Sequence, residues 1–461
     1  MKPTLILTGL MVAALALQAG AFELPKPQKF TLANGLTVYH LAQHDLPLVS
    51  FRLIISGAGN CAVSAEQEGL ADLTAELLLK GTRSKSAAEL AEAIDFIGAE
   101  LDTRARAEYA EMSGSALSGN LPTLMALAGE CLLQPAFAAS EFKLEQGRRI
   151  DDLVAIKDNP QEAVRYYFQK AWFGAHPLGR LSIGNESALA AMTPEAPAAF
   201  YRAHYHPNMA VMAVVGDIRL EDLKALVRKH FGGWKAASGA TAAASLPALP
   251  PRGQSRYLLI DKPDATQAYF MLGAPGLPMG DPRIPAATVM NTLFGGRFTS
   301  WLVTELRVKR GLTYGARATL QSWNHLGLYS ISSYTRNEKI GEMLQVTFDL
   351  INKARQEGFS DEEITSGRNY ILGQFPPSLE SQMAKAQAYT DLHFYGLGSD
   401  YYTRFLQSIA TVQPDQSREM AQTLMPADPV VLVVVGKAAE IRAQLEKFAS
   451  FEVRSIEEAG F

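Results

Sequence analysis

The chain has 461 residues, 48% hydrophobic and 20% charged, with a formal net charge of −4. Such a chain is ordinary globular material, too long for one compact core, and its mildly acidic balance gives no electrostatic reason to expect nucleic acid as a partner. Past residue 25 no stretch of 18 uncharged apolar residues occurs, so no transmembrane helix is expected in the mature chain.

Lys2, the uncharged apolar run Thr4 to Leu17 and the small-residue site Ala19-Gly20-Ala21 read as a secretory signal peptide over 1–21, cut before Phe22. Its short basic region points to a bacterial envelope protein, and hence to a periplasmic location. Thr31 to Val38 carries Asn34-Gly35 and reads as a hairpin. Leu48 to Ser56 is a strand, Gly69 to Leu79 a helix, and Ser86 to Ile97 a helix with a serine cap. Glu100 to Ala110 and Glu111 to Leu117 alternate as a strand pair, and long helices fill Leu121 to Ala155 and Pro160 to Trp172. Export permits a disulfide between Cys61 and Cys131. Cys131 also reads as a buried small hydrophobe in an apolar helix, and the sequence leaves both alternatives open.

The chain repeats itself. Met209 to Gly216 and Val430 to Gly436 are the same buried-strand run, their closing glycines 220 positions apart, and each is followed by a helix-like segment, Leu220 to Phe231 and Ala439 to Phe448. An Ala-, Ser-, Gly- and Pro-rich stretch at 235–253 separates them as a linker. The expected organisation is α+β: two homologous domains, 22–234 and 254–461, each an antiparallel-rich sheet covered by helices.

Gly69-Leu-Ala-Asp72-Leu-Thr-Ala75-Glu76-Leu-Leu-Leu-Lys80-Gly81-Thr82 resembles the active-site helix of the pitrilysin/insulinase family, in its mitochondrial-processing-peptidase-like branch. His176-Pro177-Leu-Gly179-Arg180, Tyr205-His206-Pro207-Asn208, Phe294-Gly295-Gly296-Arg297-Phe298 and Gly311-Leu-Thr-Tyr314 are similar to further landmarks of that family, so the resemblance covers almost all of 25–450. It implies two domains forming half of a clam-shell chamber. Family enzymes bind zinc through an inverted H-x-x-E-H, two imidazoles one turn apart with a glutamate as base, and a third, downstream carboxylate. Here Asp72 and Glu76 stand where the histidines belong and Ala75 where the base belongs, while spacing puts the downstream carboxylate at Asp152. No metal is therefore expected on this chain. Asp72, Glu76 and Asp152 suit either a hard cation or an acidic face paired with Arg148 and Arg149. The histidines His40, His44, His176, His204 and His206 read as surface or packing residues.

The second half keeps Arg307 and Tyr314, seven apart. In isolation they read as a helix-end cation and a core aromatic. In the family such a pair faces the zinc across the chamber, holds substrate backbone and stabilises an oxyanion. Gly295 and Gly296 would lie near the cavity mouth, although a turn needing positive φ explains them equally well. The resemblance thus implies the zinc-less subunit of a heterodimeric metallopeptidase, binding peptide substrates for a homologous, zinc-bearing partner. A non-catalytic scaffold or assembly subunit and a stand-alone peptide-binding protein are the alternatives.

Overall fold

Two valine-rich runs become the central strands of two sheets, and their burial on both faces organises the molecule. The computed structural model describes residues 22–236, 246–250 and 252–458. The expected leader at 1–21 lies outside the described residues, as does part of the 235–253 stretch.

Strands β1 (Gln28–Thr31), β2 (Thr37–Ala42) and β3 (Leu48–Ser56) lead to helices α1 (Leu70–Leu77) and α2 (Ala87–Phe96) and the hairpin β4 (Glu100–Ala105) and β5 (Tyr109–Leu117). Helices α3 (Leu121–Leu133), α4 (Ala139–Asp158), α5 (Pro160–Phe173), α6 (Glu186–Ala191) and α7 (Ala196–His204) precede β6 (Ala210–Gly216) and α8 (Leu220–Phe231). The second half opens with β7 (Arg256–Asp261), β8 (Gln267–Gly276) and α9 (Ile284–Asn291). Two wide π-type turns, Thr292–Gly296 and Val303–Lys309, then lead to β9 (Ala316–Ser322) and β10 (Gly327–Arg336). Helices α10 (Ile340–Gln356), α11 (Asp361–Ser378), α12 (Gln382–Phe394), α13 (Tyr401–Thr411) and α14 (Pro414–Leu424) follow, and β11 (Val431–Gly436), α15 (Ala438–Leu445) and β12 (Glu452–Ser455) close the described chain.

The sheets run β1-β2-β6-β3-β5-β4 and β12-β7-β11-β8-β10-β9. In both, the first and last long strands of the half pair in parallel, β2 with β6 and β7 with β11, and the remaining inner pairings are antiparallel. The duplication is thus visible as one strand order used twice, making two homologous α+β domains. They differ at one edge, where β1 precedes β2 but β12 follows β11.

The helices do not stay with their own sheet. Helix α5 lies across β11 and β8 of the second sheet, with Phe168, Ala171 and Trp172 clustered with Leu258, Ile260, Val431, Val433 and Val435. Helix α12 lies across β6 and β3 of the first, setting Ala386, Ala388, Tyr389 and Leu392 against Ala213 and Val215. Each sheet is therefore covered on one face by its own half and on the other by a helix lent by its partner half. This explains why β6 and β11 read as unbroken apolar runs rather than alternating ones: every residue of both is buried. At about 1.5–3 kcal/mol for each large apolar side chain fully buried, the exchange locks the halves together.

A polar clasp reinforces it. Arg52 of β3 donates to Glu111 Oε2 at 3.0 and 2.8 Å, to Thr390 Oγ1 and Asp391 Oδ1 of α12 at 2.6 Å each, and to the Tyr109 hydroxyl at 2.9 Å. Burial pushes the Asp391 carboxyl above its ordinary range, with Arg52 opposing the shift.

Several sequence expectations need correction. The stretch Leu121 to Ala155 is two helices, because Pro135 offers no N–H and Phe137 takes φ 43°. The hairpin expected to break at Ala110 turns instead at 106–108, with Arg106 N donating to Tyr109 O. Of the two readings left open for the cysteines, the one without a bridge is found: both are free thiols, Cys131 buried and Cys61 partly so. Burial pushes both thiols up to about 12.

Candidate functional site

Helix α1 begins at Gly69, whose φ of 95° and close approach to Gly184 admit no side chain: a Cβ there would lie 2.8 Å from the Gly184 Cα. Just before it, Glu68 is buried. Both of its carboxylate oxygens accept from Lys170 Nζ at 2.6 Å, and one also accepts from Asn185 Nδ2 at 3.0 Å. Two parts of the chain far apart in sequence thereby fix where α1 starts. Glu68 does not stand out in the sequence; its position against the Gly-Leu-Ala flank is the available signal.

Asp72 and Glu76 follow one turn apart, and helix α4 delivers Arg149 between them. The Arg149 guanidinium, 6% exposed, donates from Nη2 to Asp72 Oδ2 at 3.0 Å and to Glu76 Oε2 at 2.8 Å. Arg148 reaches the other Glu76 oxygen and also Glu145 at 2.8 Å, and Lys80 reaches Glu145 at 2.8 Å. Three carboxylates thus meet three cations, and the cluster is neutral. Burial would push Glu76 up, but the two arginines outweigh it and hold its carboxyl below the ordinary value. Asp72 also ties α1 to β4: its Oδ1 accepts from Ala105 N at 2.8 Å, and nearby Thr103 Oγ1 donates to Ala75 O at 2.7 Å. Ala75 is buried and apolar. Asp152, one turn beyond Arg149, is exposed. Of the alternatives left by the sequence, the arginine-paired face is the one formed. Among the described residues no group of three or more His, Cys, Asp and Glu side chains is placed to hold a metal ion.

The histidines hold structure. His40 Nε2 pairs with Ile218 O at 3.0 Å, and His176 accepts from Leu178 N at 3.1 Å through Nδ1 while its Nε2 pairs with Pro247 O at 2.9 Å. His204 stacks on Phe200, His206 pairs with Ala203 O, and His44 contacts Asp217 on the surface.

In the second half Gly295, Gly296, Arg307 and Tyr314 all line one cavity of about 780 Å³ between α5 and the second sheet. Tyr314 is 81% exposed, so it is not a core aromatic. Arg307 is exposed and its guanidinium lies 5.0 Å from the Phe298 ring centre. Neither glycine has a positive φ, so the turn explanation fails. Gly295 is required by contact instead: a Cβ would lie 2.6 Å from Ala318 N and 2.8 Å from Leu302 Cδ1. The wide turn Thr292–Gly296 can therefore pack directly on β9, the outermost strand of its sheet, whose Arg317, Thr319 and Gln321 also line the cavity. Sequence reasoning missed Arg165 and Arg317 here, because they are brought together only by the exchanged helix.

Residues 42–186 match the model of the insulinase family, peptidase family M16, and residues 191–371 that of the peptidase M16 inactive domain. An uncharacterized zinc protease of Mycobacterium tuberculosis is 27% identical over 78% of this chain and 82% of its own length. One from Bacillus subtilis is 25% identical over 78% and 86%. The crystal structure of a peptidase M16 inactive domain from Pseudomonas fluorescens superposes with a TM-score of 0.83 at 24% identity, over 89% of this chain and 98% of that one. A protease from Helicobacter pylori superposes at 0.82 with 19% identity, over 90% and 100%. The chain belongs to the pitrilysin/insulinase family of peptidases.

Zinc appears in the names of those relatives. The α1 site does not fit that ion. Its donors are two carboxylates without imidazole or thiolate, and a permanently charged guanidinium already bridges them.

Proposed function

We propose that this chain is the zinc-less subunit of a two-chain, M16-type peptidase in the bacterial periplasm. A homologous partner supplies zinc and base, and the two chains close as halves of a clam-shell chamber. This chain contributes the peptide-holding wall. The observation that carries the reading is a contrast between the halves: Arg149 bridges the carboxylates of α1, while Arg307 and Tyr314 stand exposed on a common cavity with Gly295 and Gly296. An arginine fork and a phenol hydroxyl are donors suited to a peptide carbonyl and to the negative charge developing on it. The outermost strand β9 beside them offers an edge for an extended peptide.

The test mixes the purified chain with a homologous chain bearing an intact H-x-x-E-H and measures hydrolysis of an unfolded peptide. Activity is expected only in the mixture. Arg307→Ala or Tyr314→Phe is expected to lower kcat/KM by about 10²–10³, the cost of one lost oxyanion donor. Undiminished activity in both variants removes the catalytic share and leaves a scaffold.

A further inference from the structure

A second, smaller cavity of about 370 Å³ adjoins the first, and the two share Arg165, Met271 and Gln321 in their walls. Together they form one groove between the first half and the second sheet. Six arginines line it: Arg106 and Arg180 at one end, Arg165 at the junction, and Arg297, Arg307 and Arg317 at the other. Among the described residues neither lining includes an aspartate or a glutamate. That is a strong local departure for a chain whose net charge is −4.

Most of this charge is uncompensated. Arg106 is paired, with Glu111 at 3.0 Å. Among the described residues Arg180 donates to the neutral carbonyl of Cys61 at 2.9 Å and acts on Glu66 through space, holding that carboxyl down after its hydrogen bonds, and Arg297 donates to the hydroxyl of Ser366 at 3.0 Å. Among the described residues Arg165, Arg307 and Arg317 form no ion pair, and all three are exposed. Guanidiniums gathered in a concave, partly apolar wall focus a positive potential and favour an anionic ligand.

The groove also has a shape. Arg317, Thr319 and Gln321 point into it at alternate positions of β9, while Ala318 and Leu320 between them belong to the core side. Exposed aromatic rings, Phe298 and Tyr314, stand at its wide end. An extended chain lying along β9 would present every second side chain to the arginines.

We infer that the groove selects acidic peptide segments, in particular extended ones with Asp or Glu at alternate positions. The inference rests on the peptide-binding role proposed above and adds its substrate class. A basic segment would meet like charge along the whole groove. A polynucleotide is disfavoured by the negative charge of the remaining chain.

Fluorescence anisotropy on the isolated full chain tests this with three labelled extended peptides of one length, carrying Glu, Gln or Lys at alternate positions. The Glu peptide should bind about tenfold more tightly than the Gln peptide, the sum of several partly solvated pairs, and the Lys peptide more weakly than either. Raising salt should shrink the difference. Arg165→Gln with Arg317→Gln should abolish the preference, and Arg165→Lys with Arg317→Lys should retain it. Equal affinity for all three peptides overturns the charge inference and leaves the peptide-holding subunit standing. Failure of every peptide to bind overturns both. A single-stranded oligonucleotide of equal charge binding as tightly as the Glu peptide would make the groove a general polyanion site and overturn the assignment to peptides.

Discussion

Replacing Arg149 with methionine keeps an unbranched apolar stem and removes the cation that bridges α1 and α4. Asp72 and Glu76, 24% and 22% exposed, then face each other one turn apart. Breaking a fully buried ion pair costs about 3–5 kcal/mol. The partial exposure of both carboxylates, and Arg148 remaining on Glu76, reduce this to about 2–3 kcal/mol. For domains of this size that lowers Tm by roughly 4–12 °C. Calorimetry and urea unfolding at neutral pH read the loss. Two controls separate charge from packing. Adding Asp72→Asn and Glu76→Gln should restore most of the stability, since the uncompensated charges are gone. Acidification should discriminate as well. Glu76 is held below its ordinary 4.5 in the folded chain, so the unfolded chain takes up the proton first. Its stabilisation is complete above that ordinary value and is lost as pH falls through the lower folded value. In Arg149→Met that contribution to the acid limb should shrink, Arg148 alone remaining on Glu76. A loss under about 0.5 kcal/mol with an unchanged acid limb refutes the view that Arg149 holds α1 to α4.

Three further outcomes are expected. Gly295→Ala forces a Cβ against Ala318 and Leu302; overpacking of this kind costs about 1–3 kcal/mol, and peptide affinity should fall with it because the same turn walls the cavity. Arg52→Met leaves Thr390 and Asp391 of α12 without their donor and should cost about 2–4 kcal/mol, with amide exchange rising first in α12. Both thiols are pushed up to about 12, so both should resist alkylation at neutral pH in the folded chain, buried Cys131 more completely than half-buried Cys61; reductant should leave Tm unchanged, since Cys61 and Cys131 are free, and a shift on reduction would contradict this.

Much of the fold could be read locally. Ser86 caps its helix through a reciprocal pair with Glu89, which the Ser-x-x-Glu spacing announces. The central strands are legible as unbroken apolar runs rich in valine. Reading failed where a decision was non-local or lacked its usual marker. The turn at 106–108 has no Gly, Pro, Asn or Asp to mark it. The exchange of α5 and α12 depends on contacts between residues hundreds of positions apart, which no periodicity encodes. The second-half site followed the same division. Arg307, Tyr314 and the two glycines were found through family motifs, whereas Arg165 and Arg317 share no motif and meet only because α5 crosses to the second sheet. At α1 the substitutions were legible, and so were Arg148 and Arg149 as candidate partners. What the sequence left open was whether the acids hold a cation from solution or one from the chain.

Titration of zinc into the isolated chain addresses that choice most directly. With Arg149 already between Asp72 and Glu76, calorimetry should record no saturable uptake at micromolar zinc, and Arg307→Ala should behave as the parent chain does. One tightly bound zinc per chain, lost on Glu76→Gln, would contradict the assignment of this protein as the subunit without the metal.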